Sequence, residues 1–441
     1  MSLEIITAQV SPYNSADFGD IKAEDICRLW QENCSFTELG DGREKELDDP
    51  VEIVVDTLFF PETKKLEGDV NGRDAFIYPG LEKGIFDNYY GVRRIHDLDG
   101  QIVLAGVEGF VVANPSFPFK EGMVVKHPVD LAAELLEGLP NGDIVFGNHL
   151  GLAWFDSDKK TAERIINPAT GKTLRNVEGL FSFGDDQIIA WNENILYRIN
   201  KGNEGSQAWL TPLRNLKGVR DSLLGVFDTE ESRQEGRFFA FVYERMGNDE
   251  RDWRYYLYKF GFDEGGKLVA EKTDIEIHSA LAEVLGESPA ELRVIGNKVF
   301  GKAKGGFFFE LDLETGEIKT FNYYDYFIKN KDKLPRTPLI TDFDVLVDPE
   351  GKVDLWLSAE VAGAIRIGDV FSDDHKNIQV FRNENEVANP YASSIRVFQD
   401  GRIVVGHLYL PGQFNDAVLT DLYPVEDSPV EHKVFMPVVS R

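Results

Sequence analysis

Short apolar runs separated by glycine-bearing turns dominate the chain from Val51 onward. The clearest stretch is NGDIVFGNHLGLAWFD, residues 141–156. It reads as a tight turn, an apolar strand, a second tight turn and a second strand. Similar units recur as DGQIVLAGVEGFVVAN (99–114), GDDQIIAWNENILYRIN (184–200), a longer RFFAFVYERMGNDERDWRYYLYKFGFD (237–263), GNKVFGKAKGGFFFELD (296–312), GKVDLWLSAEVAGAIRIG (351–368) and DGRIVVGHLYLPG (400–412). One strand residue from each gives Ile102, Ile144, Ile188, Phe239, Val299, Leu355 and Ile403, with successive differences of 42, 44, 51, 60, 56 and 48. Each unit is flanked by further strand-like runs: GVRRIHDL, AAELLEGL and SSIRVFQD before, DIEIHSAL after. The period matches the roughly 40–50 residues of a four-stranded propeller blade. The excess falls in helix-like insertions, SALAEVLGESPAE (279–291) and NYYDYFIKNKDKLP (322–335).

The expected fold is therefore all-β: a propeller of seven four-stranded antiparallel blades over residues 51–441. Residues 51–90 fit either an eighth blade or the outer strands of the last, and six blades is the lower bound. A lone hairpin sheet cannot bury both faces, whereas sheets packed radially can. Closing the ring removes exposed edges, and the pattern suggests pairing a C-terminal strand within 432–439 with an N-terminal strand within 51–60. Residues 1–50 have a different character. Asp20 is placed to cap a helix through IKAEDICRLWQENC, and a polar linker, GDGREKELDDP, follows.

The units resemble D-G-x-[ILV]-W-[ILV]-G-T-x-x-G-[ILV]-x-[RWY]-[FY]-D, the repeat of two-component-regulator-type propellers, and more loosely lyase, lactonase and NHL propellers. Asn141, Gly142, Ile144, Gly147, Gly151, Leu152, Phe155 and Asp156 carry the match in one copy, and Asp99, Gly100, Ile102, Gly106 and Gly109 in the preceding one. The resemblance covers most of residues 95–412. It implies the fold and leaves function open, because propellers host enzymes, receptors and scaffolds alike.

The chain has 47 basic and 76 acidic residues, a formal net charge of −29. That disfavours nucleic acid and an anionic membrane surface. It suits a cationic partner, a metal or solubility alone. The two cysteines, Cys27 and Cys34, are two helical turns apart, too far for a disulfide on a helix. MSLEIITAQVSPYN has no basic leader region and no long apolar run. The expectation is a cytoplasmic protein, although a secreted one whose leader had been removed would read the same. No run of about 18 apolar residues occurs.

No nucleophile elbow, P-loop, H-E-x-x-H, C-x-x-C or EF-hand loop is present. His96, His127, His149, His278, His375, His407 and His432 are scattered, and His149 and His407 are expected in surface turns. In a propeller the first strand of each blade lines the central channel. The residues at those strand starts are Arg93, Glu134, Glu178, Arg220 and Asp221, Glu291, Asp342 and Asp344, and Ser393 and Ser394. Converging carboxylates raise one another's pKa or recruit a hard cation such as Ca²⁺, for which Glu134, Glu178 and Asp342 are the metal candidates. Lactonase- and lyase-type propellers use a channel metal, which the resemblance brings in as an expectation. Two functions follow. One is a non-catalytic module presenting one face and its insertions to a protein or small molecule. The other is a calcium-dependent hydrolase or lyase acting on a small ester, lactone or sugar in the channel.

Overall fold

A computed structural model describes most of residues 51–424. Residues 1–50 and 425–441 lie outside that description, as do several internal stretches, the longest being 213–221, 246–252, 277–290, 330–337 and 409–416. The expected N-terminal helix, both cysteines, nearly all of the 279–291 insertion and His278, His375 and His432 fall there.

The described strands form seven sheets, antiparallel except where Ile166 pairs in parallel with Gln207 at the outer edge of the third. Their first strands are Arg94–Leu98, Leu135–Gly138, Gly179–Phe183, Ser222–Phe227, Glu291–Ile295, Leu339–Val347 and Ala392–Val397, in blades 1 to 7. Each touches the first strand of the next blade, and that of blade 7 touches that of blade 1, so the ring closes. The repeat residues Ile102, Ile144, Ile188, Phe239, Val299, Leu355 and Ile403 all fall on second strands. All are fully buried except Phe239, which is partly so. The 322–335 insertion contains a helix at Tyr323–Lys329, whose Tyr323, Tyr326 and Phe327 are buried.

Turn chemistry explains why the units start where they do. Asn141 Oδ1 accepts from the Asp143 N–H at 2.9 Å, and Gly142 takes φ 85°. Asp400 repeats this, accepting from Arg402 N–H at 3.0 Å before Gly401 at φ 82°. The Asn or Asp folds back on the backbone, and glycine supplies the left-handed step that reverses the chain. Asp143 then accepts from Trp154 Nε1 and from the Ser157 N–H, both at 2.9 Å, locking two hairpins together. Burial pushes the Asp143 carboxyl upward, but these bonds and Lys201 outweigh it and hold it below the usual range.

Aromatic side chains fill the gaps between blades. Phe110 meets Phe146 at 5.2 Å between blades 1 and 2. Phe183 meets Phe238 at 5.3 Å between blades 3 and 4. Phe308 meets Phe343 at 5.8 Å between blades 5 and 6. Edge-on and offset contacts of this kind add to the burial energy of each ring.

Closure differs in register from the expectation. Leu419–Pro424, the third strand of blade 7, pairs with Arg73–Ile77, and Lys64–Asp69 lies outside that. Val54–Phe59 instead extends blade 1, antiparallel to Glu121–Lys126. Residues 51–90 are thus outer strands of two blades rather than an eighth blade. The physical reason is supply: three strands from the C-terminal side leave blade 7 one short, and the N-terminal strand nearest the first blade completes it. The 432–439 stretch lies outside the described residues. Among those residues no helix is long and apolar enough to cross a membrane.

Candidate functional site

The hub holds a cavity of about 430 Å³ lined from several blades. Blade 1 supplies Arg94, His96 and Asp97; blade 2 supplies Glu134, Glu137 and His149; Glu178 comes from the start of blade 3. Across the channel stand Arg293 of blade 5, Asp342 of blade 6 and Arg396 of blade 7. A smaller cavity of about 180 Å³ lies beside it, between blades 1 and 2, with Arg93 and Glu134 in its wall.

The three carboxylates expected from the sequence to share a metal, Glu134, Glu178 and Asp342, do line this one cavity. Among the described residues, however, no three His, Cys, Asp or Glu side chains come together closely enough to hold a metal ion. Asp342 accepts from Arg293 Nη2 at 3.2 Å and from the Ile395 N–H at 3.0 Å. Glu134 accepts from Arg93 Nη1 at 3.2 Å. Both carboxylates are aimed at arginines.

These contacts belong to a longer series. Arg293 Nε stands 3.6 Å from Asp344, Asp344 is 3.5 Å from Arg396 Nη1, and Arg396 Nη2 is 3.3 Å from Asp97. Charges therefore alternate across the first strands of blades 5, 6, 7 and 1. Asp344 also accepts from the Val397 N–H at 2.8 Å, so two aspartates tie blade 6 to the backbone of blade 7.

The other strand-start residues divide. Ser394 is fully buried within blade 7, directed at Gly406 rather than the lumen. Ser393 Oγ donates to the Val92 carbonyl and joins blade 7 to blade 1. The cause is a register irregularity between Ala392 and Ser394, with a similar one between Ile340 and Asp342. A bulge breaks strict alternation, so counting by twos from the strand core misplaces the side chain. Glu291 opens the first strand of blade 5, opposite Lys302; its side chain, Arg220 and Asp221 lie outside the described residues.

Sequence reasoning missed Arg293, Arg396, Asp97 and Glu137. All sit two to four residues past the start of a first strand; alternation carried one pleat further reaches Arg293 from Glu291 and Arg396 from Ser394, whereas Asp97 lies two pleats past Arg93 and Glu137 an odd three residues past Glu134. His149 lies in an exposed turn as expected, yet it joins the cavity wall. His407 is different: it is fully buried, with Nε2 2.8 Å from Thr420 Oγ1, not at a surface turn. Burial lowers its pKa to about 3.

Glu137 also lines the cavity wall. Burial among the strands pushes it up to about 7, against hydrogen bonds from the Ser182 side chain and backbone. Asp228 pushes the same way and Arg233 opposes it. Arg233 is itself bound to Asp228 at 2.6 Å.

No protein-family model matches the chain, and no curated protein matches it. Several solved structures are similar. The extracellular domain of the putative one component system BT4673 from B. thetaiotaomicron is 14% identical with a TM-score of 0.46, over 80% of this chain and 40% of that one. The WD40 beta propeller domain of Doa1 is 12% identical with a TM-score of 0.43, over 83% of this chain and 98% of that one. YCF48 bound to D1 peptide is 12% identical with a TM-score of 0.46, over 82% of this chain and 99% of that one. This chain thus spans well under half the length of the BT4673 domain. The propeller assignment rests on the closed ring of seven sheets.

Proposed function

We propose that this chain is a non-catalytic binding propeller whose receptor site is the hub cavity on the strand-start face, presented to a protein or small-molecule partner. What carries the reading is the engagement of Asp342 by Arg293 at 3.2 Å. Together with Glu134 held by Arg93, it directs at arginines the groups that a metal-dependent hydrolase would aim at one ion. A polar cavity of about 430 Å³ lies within the range of small-ligand sites. The acidic surface favours encounters with cationic partners.

The test is ligand-observed NMR with a mixed panel of small amines, carboxylates and sugars against the whole protein. Binders should lose affinity in Glu178→Lys, an exposed position at the cavity where the change leaves the core untouched. No binder from the panel, or binders indifferent to that substitution, would overturn the reading. A parallel melt in calcium and in chelator addresses the hydrolase or lyase alternative. A specifically bound cation raises the melting temperature by mass action, and the binding reading expects coincident curves.

A further inference from the structure

We propose that residues 434–439 add to the outer edge of Val54–Phe59 as a further, antiparallel strand of blade 1. The proposal is independent of the binding reading above, because this edge lies at the rim of the ring and not at the hub. Blade 1 already has four strands, Arg94–Leu98, Gln101–Ala105, Gly109–Ala113 and Glu121–Lys126, and Val54–Phe59 is its fifth. Among the described residues no strand pairs with the far side of that fifth strand.

The edge is open and apolar. Phe60 N–H donates to the Lys120 carbonyl at 2.9 Å. Antiparallel ladders alternate, so the N–H and C=O groups of Val54, Asp56 and Leu58 turn towards Glu121–Lys126. Those of Val55, Thr57 and Phe59 turn outward. Thr57 N–H donates instead to Asp56 Oδ1 at 2.7 Å, a side-chain oxygen standing where the carbonyl of a neighbouring strand would. Val54 is 61% and Phe59 72% exposed, the highest values for large apolar residues on any described strand. The neighbouring N-terminal edge, Lys64–Asp69, is different: KKLEGD carries charges that blunt strand addition.

The path of the chain selects the occupant. Leu419–Pro424 ends beside this edge: Tyr423 stacks on Phe117 at 4.3 Å, and Phe119, two residues on, meets Phe60 at 5.1 Å. Residues 425–433 then span up to about 30 Å. Entering beside Phe59 and running towards Val54 makes the added strand antiparallel. VFMPVV, residues 434–439, matches the length of Val54–Phe59. Full overlap sets Val434 opposite Phe59, Met436 opposite Thr57 and Val438 opposite Val55. The same register turns Pro437, which has no N–H to give, away from the ladder, where an edge strand tolerates proline. Val439 then covers Val54, and Val434 covers Phe59. A second copy of the chain competes for the edge only from solution, whereas a tethered segment acts at an effective concentration on the order of mM.

The experiment is hydrogen exchange of the full chain read by mass spectrometry, with the free peptide 425–441 as the unprotected reference. Residues 434–439 should exchange at least about tenfold more slowly in the chain than in the peptide. Met436→Pro removes the central inward N–H and should speed exchange in both 434–439 and 55–59. Unchanged exchange in 144–156 checks that the propeller stays folded. Peptide-like exchange of 434–439 in the wild type, or protection of 55–59 that survives Met436→Pro, would overturn the proposal. Register is read by oxidation in a Cys27→Ser, Cys34→Ser background. Val54→Cys with Val439→Cys should bridge within one chain, since a non-hydrogen-bonded antiparallel pair brings its Cα atoms to about 4.5 Å. Val54→Cys with Phe435→Cys, four residues out of register, should stay reduced. Equal bridging of the two pairs would overturn the assignment. A bridge formed only between chains would also overturn it and give the edge to a second copy.

Discussion

Arg402 and Asp421 lie side by side inside blade 7, 1% and 0% exposed, with Arg402 Nε 2.7 Å from Asp421 Oδ1. Tyr78 adds its hydroxyl to Asp421 at 3.0 Å, and the guanidinium lies 4.4 Å from the Phe119 ring. The pair thus joins the C-terminal strands of blade 7, the residue just after the N-terminal strand that completes that blade, and a loop of blade 1. Removing one partner of a buried pair leaves the other charge without compensation, at about 3–5 kcal/mol. Arg402→Met should lose that much in urea unfolding. The double variant Arg402→Met with Asp421→Leu should recover a large part, because the orphaned charge is gone. Equal losses in the single and double variants would contradict this account of closure.

Asp342 makes a second test of how blades are joined. Its carboxylate bonds Arg293, its own following N–H at Phe343 and the Ile395 N–H of the next blade. Asp342→Ala should cost about 2–4 kcal/mol, since a buried donor and a paired arginine both lose their acceptor. Asp342→Asn keeps an acceptor oxygen for the backbone and should cost less. Urea midpoints with unchanged m-values are the measurement.

His407 predicts a pH dependence of one sign. Its pKa is about 3 in the folded protein against an ordinary 6.5, because burial disfavours the imidazolium. Above pH 6.5 both folded and unfolded states are neutral and its stabilisation is complete. Below 6.5 the unfolded chain takes up a proton that the folded protein refuses, so stability falls as pH drops towards 3. Between pH 6.5 and 5 the loss should be about 2 kcal/mol. His407→Gln should flatten that segment of the stability curve, and a parallel curve would refute the assignment.

Glu137 predicts the opposite sign. Its folded pKa of about 7 lies above the ordinary 4.5. From pH 4.5 to 7 the folded state holds more protons than the unfolded one, so this group's contribution is fully present below 4.5 and is lost as pH rises through 7. Allowing for water in the lumen, the span is about 2 kcal/mol. The difference in stability between the wild type and Glu137→Gln should therefore shift in favour of the variant as pH rises from 5 to 7.5. A difference independent of pH would place the carboxyl at its ordinary pKa.

The blade count and the identity of every second strand were legible because glycine turns and buried β-branched or aromatic residues recur with the blade. Ile102, Ile144 and Ile403 could be named from spacing alone. The closure was less legible, since a propeller chooses among several N-terminal strands of similar composition, and Arg73–Ile77 carries a buried arginine that disguises it as a surface segment. The hub was legible only at its rim. Glu134, Glu178 and Asp342 were found by counting back from the core, but Ser394 was misplaced by a bulge that no local pattern announces. Alternation could have placed Arg293 and Arg396, but not their pairing, because the aspartates they face belong to the neighbouring blade, some 50 residues away in sequence.

Gly147 tests the link between the repeat motif and backbone geometry. It is one of the motif glycines of the best-matching unit and sits in the second strand of blade 2, opposite Leu152. Its φ is 147°, and a Cβ there would lie 2.2 Å from the carbonyl oxygen of Gly151. Two penalties combine: a backbone conformation that L-residues rarely adopt, and a clash with main chain that has no rotamer to escape into. Gly147→Ala should cost about 2–4 kcal/mol. Gly142→Ala, at φ 85° in the preceding turn, has only the Ser157 side chain near its Cβ, at 3.3 Å, and should cost less, about 1 kcal/mol. Chemical denaturation of both variants gives the comparison. If Gly142→Ala were the more damaging, steric closeness at Gly147 would not be the reason that glycine stands there.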